Sequence, residues 1–326
     1  MAQLSLFSGA DGVDPVPVDE TIARTAAGLP ARIRLGTSSW SFPGWTGLVY
    51  APRNGKPATE QVLARHGLAA YARHPLLRTV SLDRTFYAPL TAEEFARYAA
   101  QVPDDFRFVV KAPAAVTDPV IRKSGSGEAA RDNPTFLDAA TAAAAFVQPA
   151  LAGLGQKAGP LVFQFPPLGR RLLADVPRLA ARLAAFVAVL PRGPLYAVEV
   201  RDPELATSDF ATTLGHAGAV VCLAVHARMP PVEAQAHVFG VNAAAGGTLV
   251  VRWNLHAGRA YDEAKAEYFP FNRLVEEDAP SRTALARLAR AAASAGRDVF
   301  ITVNNKAEGS APLSVVHLAK AIAAGD

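Results

Sequence analysis

The chain has 326 residues, of which 50% are hydrophobic and 19% charged, with a formal net charge of +4. This is enough apolar material for one large α/β domain or two ordinary ones, and it excludes a fibrous protein. The single cysteine, Cys222, excludes an internal disulfide framework and a cysteine-based zinc cluster. No secretory pattern opens the chain and no apolar run reaches membrane length, so a soluble cytoplasmic protein is expected, with a mild bias toward anionic partners.

Residues 1–30 carry Gly, Asp, Pro and Ser without sustained periodicity and read as a flexible tail. Within it, Gln3-Leu4-Ser5-Leu6-Phe7 places large apolar residues where a folded domain would not need them. The pentapeptide resembles the motif by which bacterial replication and repair proteins dock on the DNA sliding clamp. The resemblance implies Leu6 and Phe7 as anchors in an apolar groove, with Leu4 beside them and Gln3 hydrogen-bonded.

From Ile33 onward apolar runs alternate with helical patterns. Strands are predicted at Ile33–Ser38, Thr79–Asp83, Phe106–Lys111, Leu161–Phe165, within Leu195–Pro203, and at Ala219–His226, Thr248–Trp253 and Val299–Asn305. Helices are predicted near Thr59–His74, after Thr91, where Glu94 completes a capping box, and over Pro134–Leu154, Leu172–Leu190, Asp209–His216, Ser281–Ala295 and Leu313–Ala324. Ala112–Asn133 reads as a long loop able to close over a site, and Asn254–Pro280 as another long loop, rich in aromatics and charges. Eight strand–helix repeats imply right-handed crossovers and a parallel sheet closed into a TIM-like (β/α)8 barrel over residues 31–326. No G-x-G-x-x-G, P-loop, G-x-S-x-G or H-E-x-x-H occurs.

Several ordered motifs sit at these strand ends. They are Gly36-Thr37-Ser38-Ser39-Trp40 with Trp45 and Tyr50, Thr85-Phe86-Tyr87, Phe106 to Pro113, Gln164-Phe165-Pro166-Pro167, Ala197-Val198-Glu199-Val200-Arg201 and Val303-Asn304-Asn305. Together they resemble the DUF72 (YecE-like) family, which implies a TIM-like barrel but supplies no reaction. The chain departs from the family pattern at Ser81 and Asp83, where a Glu-x-Asn pair is usual, and at Asp118, where a His is usual. It departs again after Arg201, where Asp202 and Leu205-Ala206 replace a His and a downstream Trp.

Period-two geometry puts Glu199 and Arg201 on one face of their strand, with Val198 and Val200 on the other. A barrel's active site lies at the carboxyl ends of its strands, so the mouth is expected to hold the catalytic candidates Glu199, Asp83, Lys111 and Arg201. The expected substrate-binding residues are Trp40, Tyr87, Gln164, His226, Arg252, Asn304, Asn305 and Lys306. Glu199 is the first choice for acid/base work and Asp83 its partner carboxylate, each against the alternative of a structural ion pair. Arginine forks and Lys111 suit a phosphate or carboxylate, and Trp40 and Tyr87 a stacked sugar or base. Lys111 as an imine-forming amine and His226 as a ligand are weaker readings than phosphate binding and a core histidine. Of Asn304 and Asn305, the inward one is expected to be Asn304. No metal or other cofactor is predicted. The leading expectation is an enzyme for an anionic, phosphate-bearing substrate, such as a nucleic-acid-linked hydrolase or lyase recruited to the sliding clamp. The alternatives are a sugar or phosphosugar enzyme and a non-catalytic nucleic-acid-binding adaptor.

Overall fold

Runs of β-branched and aromatic residues, each closed by a turn signal, form eight short strands in the computed structural model. They are β1 (Ile33–Thr37), β2 (Leu77–Leu82), β3 (Arg107–Lys111), β4 (Ala158–Gln164), β5 (Tyr196–Glu199), β6 (Ala219–Val225), β7 (Leu249–Trp253) and β8 (Val299–Val303). All eight pair in parallel, and β1 closes on β8. The result is the expected TIM-like barrel with helices around it. The structure describes residues 12–52, 54–121, 131–241, 247–256 and 258–325.

Alternation along the strands decides what the barrel encloses. Val109, Val162, Ala197, Cys222, Val250 and Phe300, one from each of β3 to β8, form a separate buried apolar layer. Two residues further along the same strands stand Lys111, Gln164, Glu199, Ala224, Arg252 and Thr302, so the interior changes from apolar to charged within about 7 Å of strand rise. On the other side Gly36 lets β1 meet β2 closely, because a Cβ there would lie 1.8 Å from the Thr79 carbonyl oxygen. The outward faces pack on the helices and make up most of the main core.

Several expected boundaries are corrected. Residues 14–30, predicted as part of a flexible tail, are tied to the barrel, since Ala51 donates to the Asp14 carbonyl at 2.9 Å and Val16 to that of Val49 at 3.0 Å. Asp19 then caps a helix over Glu20–Gly28, and Ile22 and Ala26, one turn apart, pack on the core with Val13 and Leu29. The Gln3–Phe7 motif lies outside the described residues. The Thr91–Glu94 capping box forms as expected. The helix expected from Pro134 begins at Ala139, because Leu137 takes a left-handed conformation and Asp138 supplies the cap. The Leu172–Leu190 helix is interrupted, with Asp175 capping Val176–Ala188. A helix at Val232–Val238 follows β6, and the loop after β7 contains one at Tyr261–Tyr268.

Candidate active site

At the carboxyl ends of the strands lies a cavity of about 410 Å³. Asp83, Tyr87, Lys111, Gln164, Arg201, His226, Arg252 and Asn304 all line it, so eight of the residues predicted from sequence converge there from seven strand ends. Arg228, Asn254 and Tyr261 line it as well.

A chain of charges forms its floor. Glu199 is fully buried and Arg252 is 2% exposed. Arg252 Nη1 donates to Glu199 Oε2 at 2.9 Å, while its Nη2 reaches both Asp83 oxygens at 2.7 and 2.9 Å. Arg201 pairs with Glu199 Oε1, which also accepts from Asn254 Nδ2 at 3.2 Å. Ser81 Oγ donates to Asp83 Oδ1 at 2.6 Å. Burial by itself would raise the Glu199 pKa, but Arg201 and Arg252 override it and hold the carboxyl below its usual range. Removing one member of such a network leaves a buried charge uncompensated, at a cost of about 3–5 kcal/mol.

This wiring changes the role expected for Glu199. Both of its oxygens are engaged and the side chain is out of reach of solvent, an arrangement that suits holding Arg201 and Arg252 in place better than exchanging protons with a ligand. Asp83 is different, with its side chain 29% exposed in the cavity wall. Lys111 also faces the cavity, its Nζ lying 3.7 Å from the centroid of the Phe86 ring. Burial, together with the repulsion of Arg252 and Arg201, outweighs the attraction of Asp83 and Glu199 and lowers the Lys111 pKa to about 8. His226 is pushed down to about 4 by burial and then by Arg201. Its Nδ1 accepts from the Arg228 backbone N–H at 3.2 Å, so the neutral ring carries its proton on Nε2.

Four expectations do not hold at the cavity. Glu199 lies beneath it. Trp40 is 6% exposed, its Nε1 donates to the Leu63 carbonyl at 3.0 Å, and its ring packs on Tyr98, which makes it a core residue. Asn305 turns outward, as alternation with Asn304 requires, and its Oδ1 accepts from Trp45 Nε1 and Ala311 N. Lys306 is buried behind the wall with its Nζ 4.3 Å from the Tyr261 ring centroid. Burial, then repulsion by Lys265, lowers its pKa to about 8. The residues at the family departures have local roles: Asp118 Oδ1 accepts from Val120 N at 3.0 Å, and Asp202 Oδ2 from Leu168 N at 2.8 Å.

Of the residues that sequence reasoning missed, Asn254 was within reach. The alternation Val250–Arg252 continues to it one step past the end of β7. Arg228 and Tyr261 carry no such signal, because loop and helix placement brings them to the mouth. Among the described residues no group of three His, Cys, Asp or Glu side chains is arranged to hold a metal, and no helix is long and apolar enough to cross a membrane.

Fold and site together define a TIM-like α/β barrel with a charged cavity at the carboxyl ends of its strands. The chain belongs to the DUF72 family, described as "Protein of unknown function DUF72", whose profile matches residues 34–325. Among solved structures it is similar to a DUF72 family protein from Enterococcus faecalis, at 19% identity and a TM-score of 0.57, covering 89% of this chain and 95% of that one. A DUF72 family protein from Thermotoga maritima is similar at 16% identity and a TM-score of 0.57, covering 88% of this chain and 98% of that one. At these identities the likeness shows the fold alone. No curated protein matches the chain.

Proposed function

We propose that this protein is an enzyme acting on a phosphate-bearing substrate held in the barrel mouth. The observation that carries this reading is the charge balance of the cavity. Lys111, Arg201, Arg228 and Arg252 line it, opposed by Asp83 in the wall and Glu199 beneath, which leaves two positive charges unmatched. Arg201 Nη1 is buried without a protein partner, a donor that a phosphate oxygen would satisfy.

Lys111 is the proton-transfer group of this proposal. No carboxylate stands within ion-pair distance of it among the described residues, and its lowered pKa leaves a fraction on the order of a tenth as free amine at neutral pH. The free amine takes a proton from the attacking water in a hydrolysis, or from the carbon that loses it in an elimination, and the ammonium so formed returns it to the departing oxygen while the arginines hold the phosphate. His226 contributes an Nε2–H hydrogen bond, and Asp83, held by Arg252 and Ser81, orients the reacting group. This is hydrolase or lyase chemistry by acid/base catalysis. The Gln3–Phe7 motif favours a version of the reading in which the enzyme is recruited to DNA through a sliding clamp. Deleting residues 1–8 then removes clamp binding and leaves intrinsic turnover unchanged.

A thermal-shift screen of phosphorylated metabolites and oligonucleotides, followed by turnover assays on the hits, tests the central claim. Phosphorylated ligands raise the melting temperature of the wild-type protein, and Lys111→Met retains that shift while losing turnover. An unchanged melting temperature with every phosphorylated ligand would overturn the reading.

A further inference from the structure

The cavity has two tiers of different chemistry. Its floor is cationic and buried, with Arg252 2% and Arg201 7% exposed, whereas Tyr87 and Tyr261 in its wall are 84% and 55% exposed. Single exposed aromatics need no explanation, but two bordering one cationic cavity form a surface. Both rings are steadied from behind. Tyr87 stands edge-to-face against Phe86, at 5.3 Å between centroids and 88° between planes, and the Phe86 ring itself lies over the Lys111 ammonium. Tyr261 has the Lys306 ammonium 4.3 Å from its centroid, and Lys306 is only 7% exposed. Phe86 thus backs Tyr87 and the Lys306 ammonium backs Tyr261, while most of the Tyr87 surface and half of that of Tyr261 remain free for a ligand.

We infer that the ligand is a nucleotide unit, with its phosphate on the Arg201 and Arg228 side of the cavity and its base stacked on Tyr87 and Tyr261. The inference rests on the phosphate reading proposed above and adds the specificity-determining residues. Inorganic phosphate or a sugar phosphate satisfies the floor but leaves the tyrosines in water. A nucleotide carries both the anion and the flat π-face that the two tiers require. Stacking of a base on an aromatic side chain favours binding by on the order of tenfold or more. A free mononucleotide and the end of a single strand share this chemistry.

Isothermal titration at low salt with a 5′-mononucleotide, ribose 5-phosphate, inorganic phosphate and a short oligothymidylate separates the cases. The mononucleotide is expected to bind at least tenfold more tightly than ribose 5-phosphate. The Tyr87→Ala/Tyr261→Ala double variant loses that advantage, while its affinity for ribose 5-phosphate stays within about twofold. Both tyrosines are exposed, so the variant should melt like the wild type, and circular dichroism checks this. Tighter binding of the oligonucleotide than of the mononucleotide identifies a strand end as the source, and equal binding identifies the free nucleotide. Equal affinity for mononucleotide and ribose 5-phosphate, or an advantage that survives the double substitution, overturns the tyrosine rim but leaves the phosphate reading standing. Failure of all four ligands to bind overturns both.

Discussion

The two ends of the barrel each carry a cavity lined by arginines, and they differ in how those arginines are used. The cavity at the amino-terminal ends of the strands is the larger, about 610 Å³ against about 410 Å³ at the other end, and is lined by Arg34, Arg107, Arg192 and Asp298. Two of its three cations, Arg34 and Arg107, serve the fold. Arg34 pairs with Asp298 at 3.3 Å and sits 5.3 Å from the Phe300 ring centroid, and Arg107 Nη1 donates to the Asp104 and Phe106 carbonyls at 2.7 and 2.9 Å. Asp298 is 43% exposed, so water screens its pairs. At the other end Arg252 and Glu199 are buried almost completely and bonded directly to each other, with Asp83 and Arg201 as their outer partners, and Lys111 beside them has no carboxylate within ion-pair distance among the described residues. Volume alone does not mark a site. Burying charge in excess of what the fold can pair is costly, and that is where a ligand has something to compensate.

The comparison breaks most visibly in stability. Arg252→Met should cost about 3–5 kcal/mol in urea denaturation, because it takes the partner from Glu199 Oε2 and the counter-charge from Asp83, whereas Asp298→Asn should cost no more than about 1 kcal/mol. Similar losses at the two ends would remove the distinction. In ligand binding, Arg228→Met should weaken a phosphorylated ligand by about tenfold, a charge-assisted contact of ~1.4 kcal/mol, with little effect on melting. Arg192→Met at the opposite end should leave that affinity unchanged, and titration calorimetry on both variants makes the contrast quantitative.

Smaller effects concern protons. In the proposed reaction the active form of Lys111 is the free amine, and its pKa is lowered to about 8. On that assignment kcat/KM rises with pH and levels off above about 8, and a profile flat from pH 6 to 9 would count against Lys111 as the base. In Lys111→Met the loss should fall on kcat, with KM changed only a few-fold. The smallest effect is on acid stability. Burial lowers the His74 pKa from 6.5 to about 4, and burial with Arg201 does the same to His226. Above pH 6.5 neither the folded nor the unfolded chain holds these protons. Between 6.5 and 4 the unfolded chain binds protons that the fold refuses, so stability falls with pH across that window. His74→Gln should shrink the drop in melting temperature between pH 7 and pH 5.

The barrel was legible in the chain because strand alternation and helical spacing are local properties, carried by residues such as Val198 and Val200 against Glu199 and Arg201. Alternation also places Lys111, Gln164, Glu199 and Arg252 at one level, since each follows an inward apolar residue by two positions. It could not say which of these charges would be spent on one another. Glu199 looked like the reactive carboxylate, but two arginines from different strands, at positions 201 and 252, engage both of its oxygens. Trp40 looked like a stacking surface, but Leu63 and Tyr98 claim it for the core. The tyrosine that borders the mouth in its place, Tyr261, comes from a helix inside what reads as a loop. Periodicity reports which face a side chain takes, and a sequence carries that one residue at a time. Which partners meet across the barrel depends on closing eight strands into a ring, and only the tertiary structure decides that.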